Sequence, residues 1–470
     1  RAGDGVLAMG NPFLLSTNLQ PTVTYGILSG VRRYQYPSGT LLEYTDCLQT
    51  DASINPGNSG GPLFDVHGRL IGINGRCSFE KRGRVSVGVG YAISINQIKN
   101  FLGDLKSGRI VDHASLGARI TTDELGRVVV AEILDQSDAF RRGLRDNDEI
   151  VSFAGRSITT TNGFKNILGI LPKDWRVPLS FRRDGKRYDI LVRLAGLHHE
   201  EELLNATETH RPEEPLPIPP SDEEPKPNAP KPGEKPQGHK KPVPGGRRAH
   251  AMSKPVEEMP QIVKDHFQEK RGYANYYFNR LNQDRIWKAW IEQCHLAQER
   301  GPWSFSGNLP NGGTFHFELN DNGVSLSLPS FHSQWEVREE LGQTLDPPHS
   351  GGLFAALHLW RRLATEGLSR FGQVYYLGTA PLVGREGLVD VLSGTHKGVE
   401  CRFYFDLDEG RLLAMELFPA DDVDPCEVYF SEYHDVDGRL LPGRMEVRFG
   451  DEQFGIFTIN AFRFEKEANK

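Results

Sequence analysis

The sequence predicts a mainly β, multidomain protein, and three observations carry that expectation. Residues 1–110 run through short alternating or apolar stretches, "GVLAMG", "TVTYGILSGV", "RLIGING" and "VSVGVGYAI", separated by Gly, Pro and Asn turns. Residues 211–245 hold 12 of the 30 prolines, mixed with Glu, Lys and Gly, so nothing there offsets the entropy of ordering. Strand rhythm returns after residue 301, around one Leu- and Trp-rich helical stretch, "SGGLFAALHLWRRLATEGL", at about 350–368. A chain of 470 residues, at a typical domain size of roughly 100–200, holds two to four domains.

Taken in order, residues 1–110 read as a β-barrel or sandwich closed by a short helix, "INQIKNFLGDL". Residues 116–197 give the strands "RVVVAEIL", "EIVSFAG", "VPLSFRR" and "YDILVRL" around the helical stretches "SDAFRRG" and "TNGFKNILGIL". Residues 198–252 are expected to form a disordered Pro/Glu/Lys linker, acidic at its start and basic at its end. Beyond it, 256–300 reads as helix and the remainder as an antiparallel meander, with "EGR" and "DGR" turns at 409–413 and 437–441. The expected divisions are 1–111, 112–197, 198–252 and 253–470.

Composition excludes some classes. The formal charge is −7 and Lys and Arg are scattered outside the linker, so nucleic acid is not an expected partner. No apolar run approaches the roughly 18–20 residues of a membrane-spanning helix. The five cysteines have neither metal-type spacing nor an even count, and no metal or other cofactor is expected.

The chemistry centres on "NPGNSGGP", residues 55–62. "GNSGG" satisfies G-x-S-x-G, but a nucleophile elbow needs a helix directly after the serine. Here the chain continues "GGPLFDVHGRLIGING", a strand, turn and strand. The stretch fits instead a chymotrypsin-type loop, in which Ser59 is the nucleophile and Gly57, Asn58 and Ser59 form the oxyanion loop, with the N–H groups of Gly57 and Ser59 as donors. Gly60 and Gly61 let the next strand pass close beneath a substrate. The base is the difficulty: no histidine precedes His67, which lies in the turn "DVHGRL", and Asp4, Asp46 and Asp51 sit inside barrel motifs.

"GDGVLAMGNPF", "TVTYGILSGV", "LQTDASINPGNSGGPLFDVHGRLIGIN" and "GVGYAI" resemble, in order, the second half of the HtrA/DegP family of trypsin-like proteases. The resemblance implies the C-terminal half of a chymotrypsin-like double β-barrel. Its S1 pocket is expected from Ser53 and Ile54, from Ile73, Asn74 and Gly75, and from Gly90 and Tyr91. With Ser53 rather than Asp at the base position, that pocket should favour aliphatic P1 side chains. Residues 32–44 and 77–86 fall where the family carries its sensor loop and a loop beside the pocket. The resemblance also implies a periplasmic location, unfolded or C-terminally exposed protein substrates and a homo-oligomer, a trimer by family. It further implies a longer parent with roughly a hundred or more preceding residues that carry His and Asp, without which this chain is expected to be inactive.

"SLGARI" with "VVVAEILDQSDAFRRGLRDNDEIVSFAGRSI" resembles the PDZ domains of bacterial HtrA proteases. Leu116, Gly117 and Ala118 would form the loop whose N–H groups cap a peptide C-terminus while the peptide adds an edge strand. Ala118 departs from the usual branched residue, and Arg141 and Arg142 read as a solvated helix face. The final segment, through its "YFS-Y-VDG-LP" run, resembles the LolA/RseB-type α+β antiparallel sheet, which implies a lipid or lipoprotein partner. A second reading of the whole is a non-catalytic PDZ adaptor or scaffold with a decayed barrel.

Overall fold

The computed structural model describes residues 1–12, 20–35, 44–79, 86–209, 260–420 and 423–466. Six strands form a closed barrel: β1 (Gly5–Gly10), β2 (Thr22–Gln35), β3 (Tyr44–Thr50), β4 (Pro62–Asp65), β5 (Leu70–Phe79) and β6 (Ser86–Ser94). They close in the order β1-β2-β3-β6-β5-β4. Alternation in β1 turns Val6 and Ala8 inward. The barrel core is small, with Leu28, Ala52, Ile54, Leu63 and Ala92 completing it. Helix α1 (Ile95–Ser107) follows directly, its N-terminus capped by the Ser94 hydroxyl, which accepts from the Gln97 N–H. Gly108, in the left-handed region at φ 69°, ends it.

The middle segment comprises β7 (Ala114–Ser115), β8 (Ala118–Thr122), β9 (Val128–Ile133), α2 (Asp138–Arg141), β10 (Glu149–Phe153), β11 (Arg156–Ser157), α3 (Thr161–Leu168), β12 (Arg176–Arg183), β13 (Lys186–Arg193) and β14 (Ala195–Gly196). The main sheet runs β13-β12-β10-β9-β8, leaving β8 on an edge. Ser137 and Thr160 cap α2 and α3. Phe153, Phe164, Leu179 and Phe181 centre its core.

The expected linker begins too early. Residues 200–209 form helix α4 (Glu200–Thr209), and Leu204 is buried, so an apolar anchor holds the start of the segment. The rest of the linker expectation, 210–252, lies outside the described residues.

Helices α5 (Gln261–Asp265) and α6 (Tyr276–Cys294) replace the single helix expected over 256–300. Residues 266–275 separate them, and Asn275, with extended backbone, caps α6 through its side chain, which accepts from the Tyr277 N–H. Then follow β15 (Trp303–Asn308), β16 (Thr314–Leu319), β17 (Gly323–Leu328), β18 (Phe331–Glu336), α7 (Leu353–Glu366), α8 (Leu368–Phe371), β19 (Gln373–Pro381), β20 (Leu388–His396), β21 (Val399–Phe405), β22 (Leu412–Phe418), β23 (Cys426–Val436), β24 (Arg439–Phe449) and β25 (Glu452–Phe464). All eleven strands form one antiparallel sheet, β18-β17-β16-β15-β25-β24-β23-β22-β21-β20-β19. Helix α7 touches β16 and β17 near one end and β22 and β23 further along, so the sheet curls around it. Leu353, Phe354, Leu357, Trp360 and Leu363 are all buried, and α7 fills the interior of the curled sheet.

The three parts are joined by specific polar contacts. Asn279 of α6, fully buried, donates to the Ser107 and Tyr376 carbonyls. Trp175 donates its indole N–H to the Thr379 carbonyl at 3.0 Å. Arg142 is not on a solvated face: its side chain is 5% exposed and pairs with Asp424 at 2.8 Å and Asp451 at 3.0 Å in the C-terminal sheet. The sheet that faces α2 supplies its carboxylates, which the local sequence around Arg142 cannot reveal.

Candidate active site

The Ser59 loop lies between β3 and β4 and is held by backbone bonds on both sides. The Asn58 N–H donates to the Asn55 carbonyl, and the Gly61 N–H to the Asn58 carbonyl. Gly57 stands at φ 102°, and a Cβ there would come within 2.1 Å of the Asn11 carbonyl oxygen, so only glycine fits. Its own carbonyl accepts from the Asn11 N–H. Among the described residues, no acceptor takes the N–H of Gly57 or Ser59.

Asn58 points inward and is fully buried, its amide donating to the Ser53 carbonyl at 3.2 Å. The Thr24 hydroxyl donates to the same carbonyl, which fixes the segment before the loop. Gly10 is required here too, since a Cβ would meet the Asn58 Cα at 2.6 Å. The sequence alone does not single out Thr24; its part depends on β2 crossing behind Ser53.

Strand β5 passes alongside. The Gly60 N–H donates to the Asn74 carbonyl and the Asn74 N–H to the Gly61 carbonyl. The Asn74 side chain, buried, donates to the Met9 and Pro62 carbonyls. Ser59 Oγ donates to the Gly75 carbonyl at 2.9 Å and is exposed. Gly75 is in turn close to the Tyr91 carbonyl and the Tyr44 ring. The structure thus brings Ser59, Ile73, Asn74, Gly75 and Tyr91 together. Ser53 is exposed at the loop's entry, whereas Ile54 belongs to the barrel core and packs where a Gly90 Cβ would be. Tyr44 is an addition the sequence reading missed. The expected loops at 32–44 and 77–86 fall largely on 36–43 and 80–85, outside the described residues.

Among the described residues, none of the barrel's acids bonds to Ser59. Asp4 pairs with the Arg1 amino group, and Asp51 accepts from the Ile27 N–H. Asp46 accepts from Ser94 Oγ; burial pushes its carboxyl up, against the pull of that hydrogen bond. His67 lies at the tip of the β4–β5 hairpin, whose other end carries the Ser59 loop.

A second concavity of about 520 Å³ lies between edge strand β8 and helix α3, lined by Leu116, Gly117, Ala118, Ile120, Phe164 and Leu168. Gly117 sits at φ 73°, with its carbonyl accepting from the Leu134 N–H. Its own N–H already donates to Ser115 Oγ at 3.1 Å. Tyr34 of β2 closes one side of this groove, with the Lys165 ammonium 5.4 Å from its ring centroid.

The comparisons divide along the same lines. Residues 1–73 match the trypsin-like peptidase domain family and residues 114–194 the PDZ domain family. These two segments are HtrA/DegP-like, a trypsin-type peptidase part followed by a PDZ domain.

Among curated relatives, a probable periplasmic serine endoprotease DegP-like of Chlamydia trachomatis is 33% identical over 210 residues, 42% of this chain and 40% of that protein. The periplasmic serine endoprotease DegP of Escherichia coli strain K12 is 34% identical over 206 residues, 41% of each chain. The chain therefore spans about two fifths of the length of the curated relatives it matches. A solved HtrA-type protease AlgW with tripeptide is 30% identical, covers 43% of this chain and 67% of that one, and superposes with a TM-score of 0.33.

Proposed function

We propose that residues 1–111 and the PDZ domain at 112–197 form part of a serine endopeptidase of the HtrA/DegP type, acting on protein substrates in the bacterial periplasm. The observation that carries this reading is the Gly57–Ser59 loop. Two backbone N–H groups without acceptors among the described residues flank an exposed serine hydroxyl beside strand β5. Ser59 is the nucleophile, Gly57 and Ser59 donate to the oxyanion, and buried Asn58 holds the loop in place. The uncharged edge made by Ser53, Ile73, Gly75, Gly90 and Tyr91 receives an aliphatic P1 side chain, with Ile54 and Asn74 supporting it from inside.

Ser59 still needs a base. Its proton now rests on the Gly75 carbonyl side, and no histidine of residues 1–66 exists to take it. The proposal is that a histidine supplied by a first trypsin-type barrel completes the site. In the PDZ groove, Leu116, Gly117 and Ala118 face the substrate C-terminus, and the names of the periplasmic DegP relatives support the same compartment and substrate class.

Residues 253–470 are read as a LolA/RseB-like α+β domain, and a lipid or lipoprotein taken inside its sheet would have to displace α7. A chimera placing the first barrel of a DegP relative ahead of this chain tests the catalytic reading. Fluorophosphonate should modify the peptide containing Ser59, and modification elsewhere in the chain only would reject the assignment.

A further inference from the structure

Where the barrel, the PDZ domain and the C-terminal sheet meet, the connecting segment after α1 is paired to the chain beyond α5. The Ala274 N–H donates to the Gly108 carbonyl at 2.8 Å and the Ile110 N–H to the Gly272 carbonyl at 2.9 Å. Arg109 and Tyr273 form the bridge between these bonds. Above this short ladder opens a cavity of about 310 Å³, within the size range of small-molecule sites.

Its walls come from all three parts and from α4. Arg109, Lys173 and Lys270 line it, each half-buried, and among the described residues none has a carboxylate within ion-pair distance. Arg109 donates to the Leu377 carbonyl instead, and Lys270 to the Tyr375 hydroxyl at 3.3 Å, above the Tyr276 and Tyr375 rings at 4.3 Å. Two acids also line it: Glu200, which is exposed, and Asp112, which is buried and already satisfied by the His198 N–H, the His198 ring and the His113 N–H. Arg271 pairs with Glu201 at the rim. Leu203, Leu204 and Leu377 supply an apolar side.

Arg109, Lys173, Lys270 and Arg271 outnumber the acids of the lining, Asp112 and Glu200. Asp104 and Asp174, which act on Arg109 and Lys173 from nearby, form no ion pair with them, so an anion brought among the three half-buried cations is favoured. We propose that this junction cavity binds a small soluble molecule with a phosphate or carboxylate head and a compact apolar or aromatic body. The head lies among Arg109, Lys173 and Lys270, and the body lies against Tyr273, Tyr375 and Leu204. Because the cavity is walled by the connection between barrel and PDZ domain, such a ligand joins the three parts more tightly. This site is separate from the Ser59 loop and from the β8–α3 groove, and stands independently of the protease reading.

The test is isothermal titration of the full chain with phenyl phosphate, inorganic phosphate and benzyl alcohol at constant ionic strength. Phenyl phosphate is expected to bind saturably, inorganic phosphate at least tenfold more weakly, and benzyl alcohol not at all. Lys173→Gln and Lys270→Gln, tested singly, should each weaken phenyl phosphate at least fivefold, whereas Arg119→Gln on the exposed face of β8 should leave it unchanged. Binding to phosphatidylglycerol vesicles without saturable phenyl phosphate binding would point to a lipid headgroup and overturn the proposal. So would phenyl phosphate binding that both lysine variants retain in full while keeping the parent's melting temperature.

Discussion

Arg193 of the PDZ domain and Glu416 of the C-terminal sheet form an ion pair at 2.6 Å across their interface, with the side chains only 18% and 8% exposed. The Tyr404 hydroxyl donates to the second carboxylate oxygen. Burial works against ionisation of Glu416, but Arg193, the Tyr404 hydrogen bond and Arg402 outweigh it and hold the carboxyl below its usual range. A depressed folded value means stability that is present above the unfolded carboxylate value and lost as pH falls through the folded one. Glu416→Ala, which leaves Arg193 buried and unpaired, should cost about 3–5 kcal/mol in urea unfolding followed by tryptophan fluorescence. The double variant Arg193→Met with Glu416→Leu should recover most of that loss.

Asp104 of α1 behaves in the opposite sense. Burial against β19 raises its carboxyl to about 7, against the pull of Arg109 and with the help of Asp174, and its Oδ2 has no hydrogen-bond partner among the described residues. A folded value above the unfolded one gives stability that is complete below about pH 4 and declines as pH rises toward 7. Asp104→Asn should therefore match the parent near pH 4 and become more stable than it by pH 8, with the gap growing by at most about 1.4 kcal/mol per pH unit. Urea midpoints at four pH values check this.

Gly57→Ala must move the Asn11 backbone or change φ, since its Cβ would collide with the carbonyl oxygen. In the DegP-barrel chimera, this change should lower kcat/KM about 100-fold or more through loss of an oxyanion donor. Circular dichroism should stay unchanged, because the clash is confined to the loop.

The PDZ groove makes a different demand. If the loop at Leu116–Ala118 receives a carboxylate, a peptide with a free apolar C-terminus should bind the full chain at least tenfold tighter than its amide. Gly117→Ala, at φ 73° and with a Cβ within 2.5 Å of the Ser137 Cβ, should reduce the free-acid affinity. Fluorescence anisotropy of labelled peptides measures both.

Much of this arrangement is local and therefore legible in the sequence. Alternation in "GVLAMG" gives β1, the glycines around Ser59 give a loop no other residue fits at position 57, and the DGR turn at 437–441 does join β23 to β24. What the sequence does not reveal is contact between distant segments. Arg142 reads as solvated because its partners, Asp424 and Asp451, come from a different part of the chain. Asn166 of α3 looks like an ordinary helix residue, yet it accepts from the Asp46 N–H and donates to the Arg32 carbonyl, tying the PDZ helix to the barrel. Leu203 and Leu204 are two apolar residues in an acidic run until the junction at Gly272 gives Leu204 something to cover.

Whether Ser59 attacks the scissile carbonyl is read most directly from cleavage of unfolded β-casein by the chimera and by its Ser59→Ala variant. Time-dependent fragments are expected from the parent and a loss of about 10⁴-fold or more in the variant, with the thermal midpoints of the two proteins equal. Cleavage that persists undiminished in Ser59→Ala would contradict attack by Ser59.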